Sequence, residues 1–398
     1  MTILRRCWAE ISLDALRHNF NIIQSLAQGA GVMAIVKADG YGHGDVQTAR
    51  LFANAGAEWL GVSSMEEALH LRAAKIETPI LILGYTPPSQ LGALHSEQLT
   101  QTVFSPEYAQ ALSAAAAEKG LTLDVHIKVD TGMGRLGFDA SCPEAVEQIL
   151  QATRLKGLCV SGIFTHFSVA DSISADNIAY TEHQHRLFNE TVAALVHAGA
   201  RFSAVHCCNS AGLAAFGAYG HTLVRPGIIL YGENPSDEIQ IDGLIPAMAL
   251  KAVVSHVKTL PAGRDVSYGR SYTTAHATKV ATLTVGYADG YPRAMSGKGM
   301  VTINGVACPV IGKVCMDQMM VDVSALEAVC PGDTAVIFGP NCANSASDIA
   351  ALAGTVAYEI LCGINRRVPR VYTENGAEVC CVDYLAQTPV QAQRIFFD

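Results

Sequence analysis

Short apolar segments alternate with helix-like segments between residues 30 and 230, and this alternation constrains the fold more than any other feature. Strands that are separated by helices lie parallel in one sheet, because each helix returns the chain to the same edge. The strand candidates are GVMAIVK, WLGVSS, PILILG, TQTVFS, DVHIKVD, GIFTHF, AVHCCN and LVRPGI. Eight such units are the number in a (β/α)8 barrel. The sequence therefore predicts an α/β protein with an N-terminal barrel, and a doubly wound open sheet is the alternative.

The pattern changes after about residue 240, where strand-like runs are separated by turn sequences such as Asn304-Gly305 and Asn375-Gly376. Asn-Gly is typical of two-residue β-hairpin turns. We predict a barrel domain over residues 1–240 and a mainly-β domain over residues 241–398. Residues 1–11 include the strand-like CWAEI and could pair with the C-terminal domain instead. Only SASDIAALAGTVAYEILCG is predicted to be helical after residue 240.

Serine residues mark several predicted helix starts. Ser12 precedes the first helix, and two further segments fit a capping box, in which a serine and a glutamate three residues later bond to each other's backbone N–H. These pairs are Ser64 with Glu67, and Ser141 with Glu144.

Composition excludes several classes of partner. The chain has a formal net charge of -9 and lacks clustered Lys and Arg, which argues against nucleic acid. No apolar stretch is long enough for a membrane span or a signal peptide, so we expect a soluble, cytoplasmic protein. Twelve cysteines without a CxxC predict reduced, mostly buried thiols. We expect no metal, because His183 and His185 lie two apart on a predicted helix, where side chains diverge.

Polar side chains lie at the carboxyl ends of the predicted strands, where barrel enzymes build their active sites. Each of them alone could be structural, since a lone histidine or a strand-end lysine is often only solvated or hydrogen-bonded. Together they predict a catalytic site at one mouth of the barrel. They are Lys37 after the first strand, Lys128, Asp130 and Arg135 at the fifth, His166 at the sixth, Asn209 and Ser210 at the seventh, and Arg225 at the eighth.

The loops after strands seven and eight of a barrel often bind phosphate. Here they read NSAG and RPGIILYG, so that Ser210 offers a hydroxyl and Gly227 and Ile228 offer backbone N–H groups. A phosphate opposite a lysine amine predicts pyridoxal 5'-phosphate (PLP), whose aldehyde would bond to Lys37. GMGRLG, at residues 132–137, matches the dinucleotide pattern GxGxxG only weakly, because no predicted helix follows it directly.

Over essentially its whole length the chain resembles the PLP-dependent alanine racemases. The resemblance is carried by VKADGYGHG, KVDTGMGRLG, HCCNSAG, RPGIILYG, DVSYGRSY, VCMDQ and AYEIL, in the family's order. Gly40, where Ala is common, and CGINRRVPR depart from the family pattern. The resemblance implies a homodimer with shared active sites that interconverts L-alanine and D-alanine.

By this resemblance, Lys37 and Tyr268 are the two bases, and Tyr268 comes from the partner chain. Racemisation needs two groups, because a single base tends to return the proton to the face it left. A tyrosine base at neutral pH requires roughly 4 kcal/mol of phenolate stabilisation or a coupled proton shuttle. His166 is implied to link Tyr268 to Arg225, and Arg225 to contact the cofactor's ring nitrogen. Arginine does not give up a proton, so that nitrogen should stay unprotonated.

The resemblance also implies the other contacts of the site. The cofactor contacts are Tyr41, Arg135, His166, Asn209, Ser210, Arg225, Gly227, Ile228 and Tyr358. The substrate contacts are Arg135, Tyr268, Tyr287, Met316 and Asp317. Lys128 is implied to be carbamylated, which reverses its charge beside Arg135; a plain lysine paired with Asp130 is the alternative.

Three other functions stay open. An amino-acid decarboxylase of the same plan would need a carboxylate where Arg225 stands, and a non-catalytic PLP carrier would lack the second domain. A serine or broad-specificity racemase is the third alternative, because a pocket for a methyl group cannot strongly exclude an added hydroxyl. Tyr358 favours alanine, by the same resemblance.

Overall fold

The computed structural model describes residues 5–387 and contains two compact units. The barrel unit comprises Arg17–Gly40 and Gly44–Leu244. The β unit comprises the described parts of Met1–Leu16 and Ile245–Asp398, together with Tyr41–His43. No helix among the described residues is long and apolar enough to cross a membrane.

The first part of the chain alternates strands and helices. The strands are β1 (Cys7–Ser12), β2 (Gly31–Ile35), β3 (Trp59–Val62), β4 (Ile80–Ile82), β5 (Leu99–Val103), β6 (Leu123–Asp130), β7 (Phe138–Asp139), β8 (Leu158–Phe164), β9 (Ala204–His206) and β10 (Leu223–Val224). The helices are α1 (Leu13–Ala27), α2 (Lys37–Tyr41, a single left-handed turn), α3 (Asp45–Ala55), α4 (Met65–Ala73), α5 (Leu91–Ser96), α6 (Pro106–Lys119), α7 (Ala145–Thr153), α8 (Ala175–His197) and α9 (Ser210–Phe216).

The sheet of the barrel unit is parallel and runs in the order β10-β2-β3-β4-β5-β6-β8-β9, with β7 added beside β6. The last strand, β10, therefore lies beside the first, β2. Two backbone hydrogen bonds close the remaining gap, from Thr222 N to Val205 O (3.1 Å) and from Arg225 N to Cys208 O (2.9 Å). The eight predicted strands and the (β/α)8 barrel are confirmed, and the open sheet is wrong, because an open sheet would leave two unpaired edges.

The rest of the chain is mainly β. Its strands are β11 (Met248–Leu260), β12 (Asp265–Val266), β13 (Tyr272–Thr273), β14 (Thr278–Leu283), β15 (Met300–Ile303), β16 (Val306–Ile311), β17 (Met319–Asp322), β18 (Thr334–Phe338), β19 (Arg370–Glu374) and β20 (Ala377–Val382), and its helices are α10 (Ala346–Ala353), α11 (Ala357–Cys362) and α12 (Tyr384–Gln387). One sheet has the order β14-β17-β16-β15-β18-β11-β1-β19-β20, and β12 pairs with β13. Within the larger sheet, β1 is antiparallel to β11 and parallel to β19.

The two predicted Asn-Gly hairpin turns are confirmed. Asn304 and Gly305 join β15 to β16 with φ of 49° and 78°, and Asn375 and Gly376 join β19 to β20 with φ of 50° and 76°. Positive φ at both central residues is the type I′ geometry, which matches the twist of paired strands.

The predicted helix starts are only partly correct. The Ser12 hydroxyl accepts from Ala15 N (3.1 Å), and the Ser64 hydroxyl accepts from Glu67 N (3.5 Å). The Glu67 carboxylate, however, accepts from other backbone N–H groups, so the capping box at Ser64 is only half formed. The box at Ser141 is wrong, because Ser141 bonds to Asp139 and α7 begins later, at Ala145.

Two further expectations are corrected. The single helix expected in SASDIAALAGTVAYEILCG is two helices, because Gly354 ends α10 with a left-handed φ of 77°. All twelve cysteines lie within residues 5–387 and none forms a disulfide, but only four of them are buried, so the expectation of mostly buried thiols is wrong. Several thiols lie on surface segments, as Cys142 and Cys159 do.

Candidate active site

Lys37 is half-buried and begins the left-handed turn that follows β2. Ala38, Asp39 and Gly40 have φ of 54°, 57° and 59°. Residues other than glycine pay roughly 1 kcal/mol or more each for this conformation, and it persists where the surroundings enforce it. Such strain is typical of functional sites, which supports the prediction of Lys37 as a site residue.

Glu67 holds this turn in place. Its carboxylate accepts hydrogen bonds from Ala38 N and from Ser63 N, each at 2.7 Å. Ser63 follows β3, so one carboxylate links the carboxyl ends of two neighbouring strands. Sequence reasoning assigned Glu67 to a helix cap and missed this role.

Arg225 lies at the end of β10 and is 4% exposed. Its Nη2 donates to the carbonyl oxygens of Thr165 (2.7 Å) and Cys207 (2.9 Å) and lies 3.3 Å from His166 Nδ1, while Nη1 donates to His206 Nδ1 (2.8 Å). None of these partners is a carboxylate. Burial lowers the pKa of Arg225 to about 10, because nothing nearby compensates for the lost hydration of its charge.

The donors of Arg225 determine the tautomers of the neighbouring histidines. Arginine only donates, so the Nδ1 atoms that face it must accept, and the protons of His166 and His206 lie on Nε2. His206 Nε2 then donates to His126 Nδ1 at 3.1 Å. Burial, reinforced by the charge of Arg225, lowers the pKa of all three imidazoles, and that of His126 to about 3. His166 therefore presents a neutral ring with an N–H donor at Nε2.

Lys128 points from β6 into the same cluster and is 5% exposed. Its Nζ donates to Val129 O (2.9 Å) and lies 5.4 Å from the centre of the Phe164 ring. Burial and the charge of Arg225 lower its pKa to about 7. Asp130 does not neutralise it by a direct hydrogen bond, because the Asp130 Oδ1 atom accepts from the backbone N–H groups of residues 132–134.

Those backbone contacts shape the glycine-rich loop after β6. Gly132, Gly134 and Gly137 have φ of 127°, 68° and 132°. The loop carries Arg135, an exposed side chain whose charge helps to lower the pKa of Lys128 and His166. The next helix begins only at Ala145, so GMGRLG does not have the geometry of a dinucleotide-binding motif.

The loops after β9 and β10 meet, as predicted. The Ser210 hydroxyl accepts from Gly227 N at 2.8 Å, and Asn209 Oδ1 accepts from Gly212 N at 2.8 Å. Ile228 is fully buried. Since the N–H of Gly227 already donates to Ser210, the hydrogen of the Ser210 hydroxyl stays available to donate to a phosphate.

The other predicted site residues belong to the β unit. The rings of Tyr41 and Tyr358 lie 6.0 Å apart, centre to centre. Tyr268 is 70% exposed in a short turn, where the preceding residue, Ser267, has a φ of 69°. Tyr287 and Met316 are also exposed. Single exposed side chains of this kind are common on protein surfaces, so their exposure alone does not identify them as site residues.

A buried carboxylate organises the segment that carries Tyr287. Asp289 is fully buried and accepts from Arg6, from Arg367 Nε (2.8 Å) and from Gly286 N (2.9 Å). Arg367 Nη2 also donates to Asp317 at 2.6 Å. Arg367 thus connects a buried anchor to a predicted substrate contact.

Sequence reasoning missed Arg6, Asp289 and Arg367. The sequence signals for Asp289 and Arg367 are the acid in GYADGYPR and the arginine pair in CGINRRVPR. Only the second segment stands out in the sequence, as a departure from the family pattern.

Comparison with known proteins identifies the family. A model described as the alanine racemase N-terminal domain matches residues 11–235, and one described as the C-terminal domain matches residues 247–372. The chain belongs to the alanine racemase family. The alanine racemase of Desulfovibrio desulfuricans is 46% identical over 374 residues, which cover 93% of this chain and 99% of the relative. That of Desulforamulus reducens is 44% identical and covers 92% and 98%.

Solved alanine racemases have the same fold. The enzyme of Clostridium difficile 630 superposes with a TM-score of 0.91 at 38% identity, covering 96% of this chain and 100% of that one. The enzyme of Bacillus anthracis with bound L-Ala-P superposes with a TM-score of 0.90 at 33% identity, covering 98% and 100%. The predicted family is confirmed, and the decarboxylase, carrier and serine alternatives are not favoured.

Alanine racemases depend on PLP, and the barrel mouth of this one fits that cofactor. Arg225 is a buried cation without a carboxylate in direct contact, which suits a polar or anionic ligand. Lys37 could supply the amine that the cofactor's aldehyde requires, and Ser210 could supply a hydroxyl donor.

Proposed function

We propose that this alanine racemase interconverts L-alanine and D-alanine with PLP, using Lys37 and Tyr268 as bases on opposite faces of the substrate. The observation that carries the proposal is the barrel mouth, where the strained turn of Lys37 accompanies buried Arg225, which has no carboxylate in direct contact, and the Ser210 hydroxyl beside Gly227. When bound, PLP withdraws electrons from the amino acid and so acidifies its Cα hydrogen.

His166 prepares Tyr268 to act as a base. With Nδ1 facing Arg225, the ring offers its Nε2–H to the phenolic oxygen of Tyr268. A hydrogen bond to the charged form of a group favours that form, so this donor lowers the cost of the phenolate. The neutral state of His166, which follows from its lowered pKa, means that it donates without adding a full charge.

Arg225 has donors left for the cofactor. Its contacts with protein use Nη2 and one hydrogen of Nη1, so the Nε–H and the second Nη1 hydrogen can reach the ring nitrogen. Because arginine keeps its proton, the nitrogen stays unprotonated and the electron withdrawal is moderate. The amino group of the product is thereby protected from transamination.

The remaining contacts follow the same scheme. Arg135 and the backbone at Met316 hold the substrate carboxylate, with Tyr287 and Asp317 beside it. Arg367 is a positioning residue, because it orients Asp317 through its bond to buried Asp289. The phosphate and ring of the cofactor are held by Tyr41, Asn209, Ser210, Ile228 and Tyr358. Gly227, which was expected to donate directly, acts through Ser210, because its N–H already donates to that hydroxyl.

Lys128 is carbamylated in the working enzyme. An uncharged amine attacks carbon dioxide, forming an N–C bond and releasing one proton, and a pKa of about 7 leaves much of Lys128 uncharged at neutral pH. The resulting carbamate would be stabilised by Arg225 and Arg135. Electron density for a bare amine in a crystal grown at neutral pH would contradict this step.

The enzyme works as a cytoplasmic dimer with shared sites. A base that is 70% exposed in its own chain, as Tyr268 is, needs another surface to exclude water from its reaction. All twelve cysteines lie within the described residues and are free, which suits a reducing compartment.

Co-expression of two inactive variants tests the shared site. Lys37→Ala and Tyr268→Phe should each be inactive alone, but a mixed dimer has one site in which both groups are intact. With equal, random pairing, about one quarter of the wild-type sites are restored. The measurement is the rate of L-alanine conversion to D-alanine.

Tyr272→Phe, a nearby hydroxyl deletion, should leave the rate unchanged. A Lys37→Ala/Tyr268→Phe double variant co-expressed with wild type should show only the activity of the wild-type homodimers, because no site of a mixed dimer contains both intact groups. No activity in the Lys37→Ala and Tyr268→Phe mixture would contradict sharing of these two residues. Assay with both enantiomers of serine would show whether the pocket excludes the hydroxyl.

A further inference from the structure

Three potential metal ligands meet on the barrel unit, and none of their side chains is assigned to catalysis, although the backbone carbonyl of one, Cys207, accepts from Arg225. His185 comes from α8, Cys207 follows β9, and His221 precedes β10. One ligand atom from each lies within 4.8 Å of the other two. His206 faces Arg225 inside the barrel, and side chains alternate along a strand, so Cys207 faces the opposite side, toward α8.

The distances suit a tetrahedral ion. Nε2 of His185 and Nε2 of His221 lie 3.3 Å apart. Two ligands at the usual zinc–nitrogen distance and a tetrahedral angle are separated by about 3.3 Å. A zinc-bound sulfur would lie about 3.6 Å from each nitrogen, which is within the 4.8 Å that encloses the three ligand atoms. The Cys207 sulfur now lies 3.5 Å from that of Cys208, and a side-chain rotation can bring it toward the histidines.

Hydrogen bonds hold the facing nitrogens of the two histidines at this spacing. Nδ2 of Asn189 donates to His185 Nε2 at 3.1 Å, and because that nitrogen has a single lone pair, the Asn189 amide has to turn away when an ion binds.

Aromatic rings hold the two imidazoles. Tyr219 stacks on His185 with ring centres 3.7 Å apart, and Phe188 packs edge-on against His221 at 5.5 Å. The Tyr219 hydroxyl is buried and has no hydrogen-bond partner among residues 5–387. This enclosure restricts the rotation of both rings, so less entropy is lost when they bind an ion.

We propose that His185, Cys207 and His221 bind one zinc-like divalent cation, with water at the fourth position. Binding forms two N–metal bonds and one S–metal bond, and the Cys207 thiol releases its proton to solvent. The ion would join α8 and the segment before β10 to the strand that leads to Asn209 and Ser210.

This proposal revises the expectation that the chain holds no metal. That expectation rested on His183 and His185, and the structure agrees that these two do not converge, since His183 contacts Arg186. The convergence with Cys207 and His221 depends on tertiary structure, which spacing within one helix does not reveal.

Cobalt substitution tests the site in the full-length holoenzyme. The protein is treated with chelator, desalted and titrated with Co²⁺ and, separately, with Zn²⁺. We expect one ion per chain by elemental analysis, visible d–d bands typical of tetrahedral Co²⁺ at wavelengths beyond the cofactor's absorption, and release of one proton per ion in weakly buffered solution.

Cys207→Ser and His221→Asn should each weaken the binding of both metals at least 10-fold, because outright loss of a ligand exceeds the effect of changing its supporting contacts. His183→Asn, on the same helix, is the matched control and should bind as wild type does. Absence of stoichiometric binding to wild type overturns the proposal. So does tetrahedral Co²⁺ absorption that persists in both ligand variants, since it would place the ion on other thiols.

Discussion

Arg225 of the barrel unit and the Arg6–Arg367 pair of the β unit have different electrostatic surroundings. Arg225 is buried among carbonyl oxygens and neutral histidines, and burial lowers its pKa to about 10. Arg6 and Arg367 are partly exposed and share buried Asp289, whose hydrogen bonds raise the pKa of both guanidinium groups. Arg225 therefore has no carboxylate in direct contact, whereas Arg6 and Arg367 share one.

Carbonyl acceptors alone do not mark a binding role, because fully buried Arg370 of the β unit also donates to carbonyl oxygens. What distinguishes Arg225 is that it also has donors left for a ligand at the barrel mouth. A buried cation without an acid costs free energy in the isolated chain, and that cost falls when an anionic ligand arrives. A cation paired with a buried acid is already satisfied and mainly holds its segment in place. The barrel mouth is therefore arranged to gain from a ligand, and the Asp289 network to orient Asp317.

The largest expected effect comes from replacing Arg225 with an acid. Arg225→Glu removes the donors proposed for the cofactor nitrogen and the charge that, together with burial, keeps His166 neutral, so we expect the racemisation rate to fall roughly 10³-fold. Arg225→Lys keeps a charge but loses the planar fork and should be affected less. The measurement is steady-state kcat in both directions. A loss below tenfold for Arg225→Glu would contradict the role that we propose for Arg225.

Lys128 should make stability depend on pH. Its pKa is about 7 when folded and near 10.4 when unfolded, so above pH 7 the unfolded chain binds more protons and stability rises with pH. Lys128→Met removes this dependence. Between pH 6 and pH 9, the free energy of unfolding of wild type should rise by about 2–3 kcal/mol more than that of the variant.

The measurement is denaturant unfolding in CO2-free buffer at a constant protein concentration. Parallel pH profiles for wild type and Lys128→Met would show that Lys128 is not a buried, uncompensated amine.

Asp289→Asn tests the neutralised side of the comparison. Burial alone would raise the pKa of Asp289, but hydrogen bonds from Arg6 and Arg367 outweigh it and the pKa is lowered. The variant should lose about 2 kcal/mol of stability at neutral pH, less than a fully buried pair because both arginines are partly exposed. A lowered carboxyl pKa stabilises only above its unfolded value, so the difference should shrink below about pH 4. Thermal and denaturant unfolding of wild type and Asp289→Asn, at neutral pH and below about pH 4, measure this difference in stability.

An exposed ion pair provides the smallest effect. Arg5 pairs with Glu378 at the surface of the same unit. Arg5→Gln should change the free energy of unfolding by about 0.5 kcal/mol or less, because solvent screens the pair. A loss as large as that of Asp289→Asn would mean that burial is not what distinguishes the two networks.

Most of the barrel could be predicted from sequence. Its eight strands are continuous apolar runs, and the groups at their ends follow directly from strand order, as Lys37, His166 and Arg225 do. The Asn-Gly hairpins of the β unit were equally readable, because a two-residue turn leaves few other conformations.

The remainder depends on contacts distant in sequence. Glu67 looks like a capping residue until β2 and β3 bring Ala38 and Ser63 beside it. Asp289 and Arg367 are 78 residues apart, and no local periodicity links them. The helix break at Gly354 was missed because a glycine inside an apolar pattern fits either a helix interior or its end.

The left-handed turn has a consequence for chirality within the chain itself. At Ala38, φ of 54° and ψ of 50° are close to the mirror image of right-handed helical values. The mirror-image amino acid prefers this region, so a semisynthetic chain with D-alanine at this exposed position should be more stable by about 1 kcal/mol. The protein that inverts alanine thus contains an L-alanine whose own backbone would be relaxed by inversion.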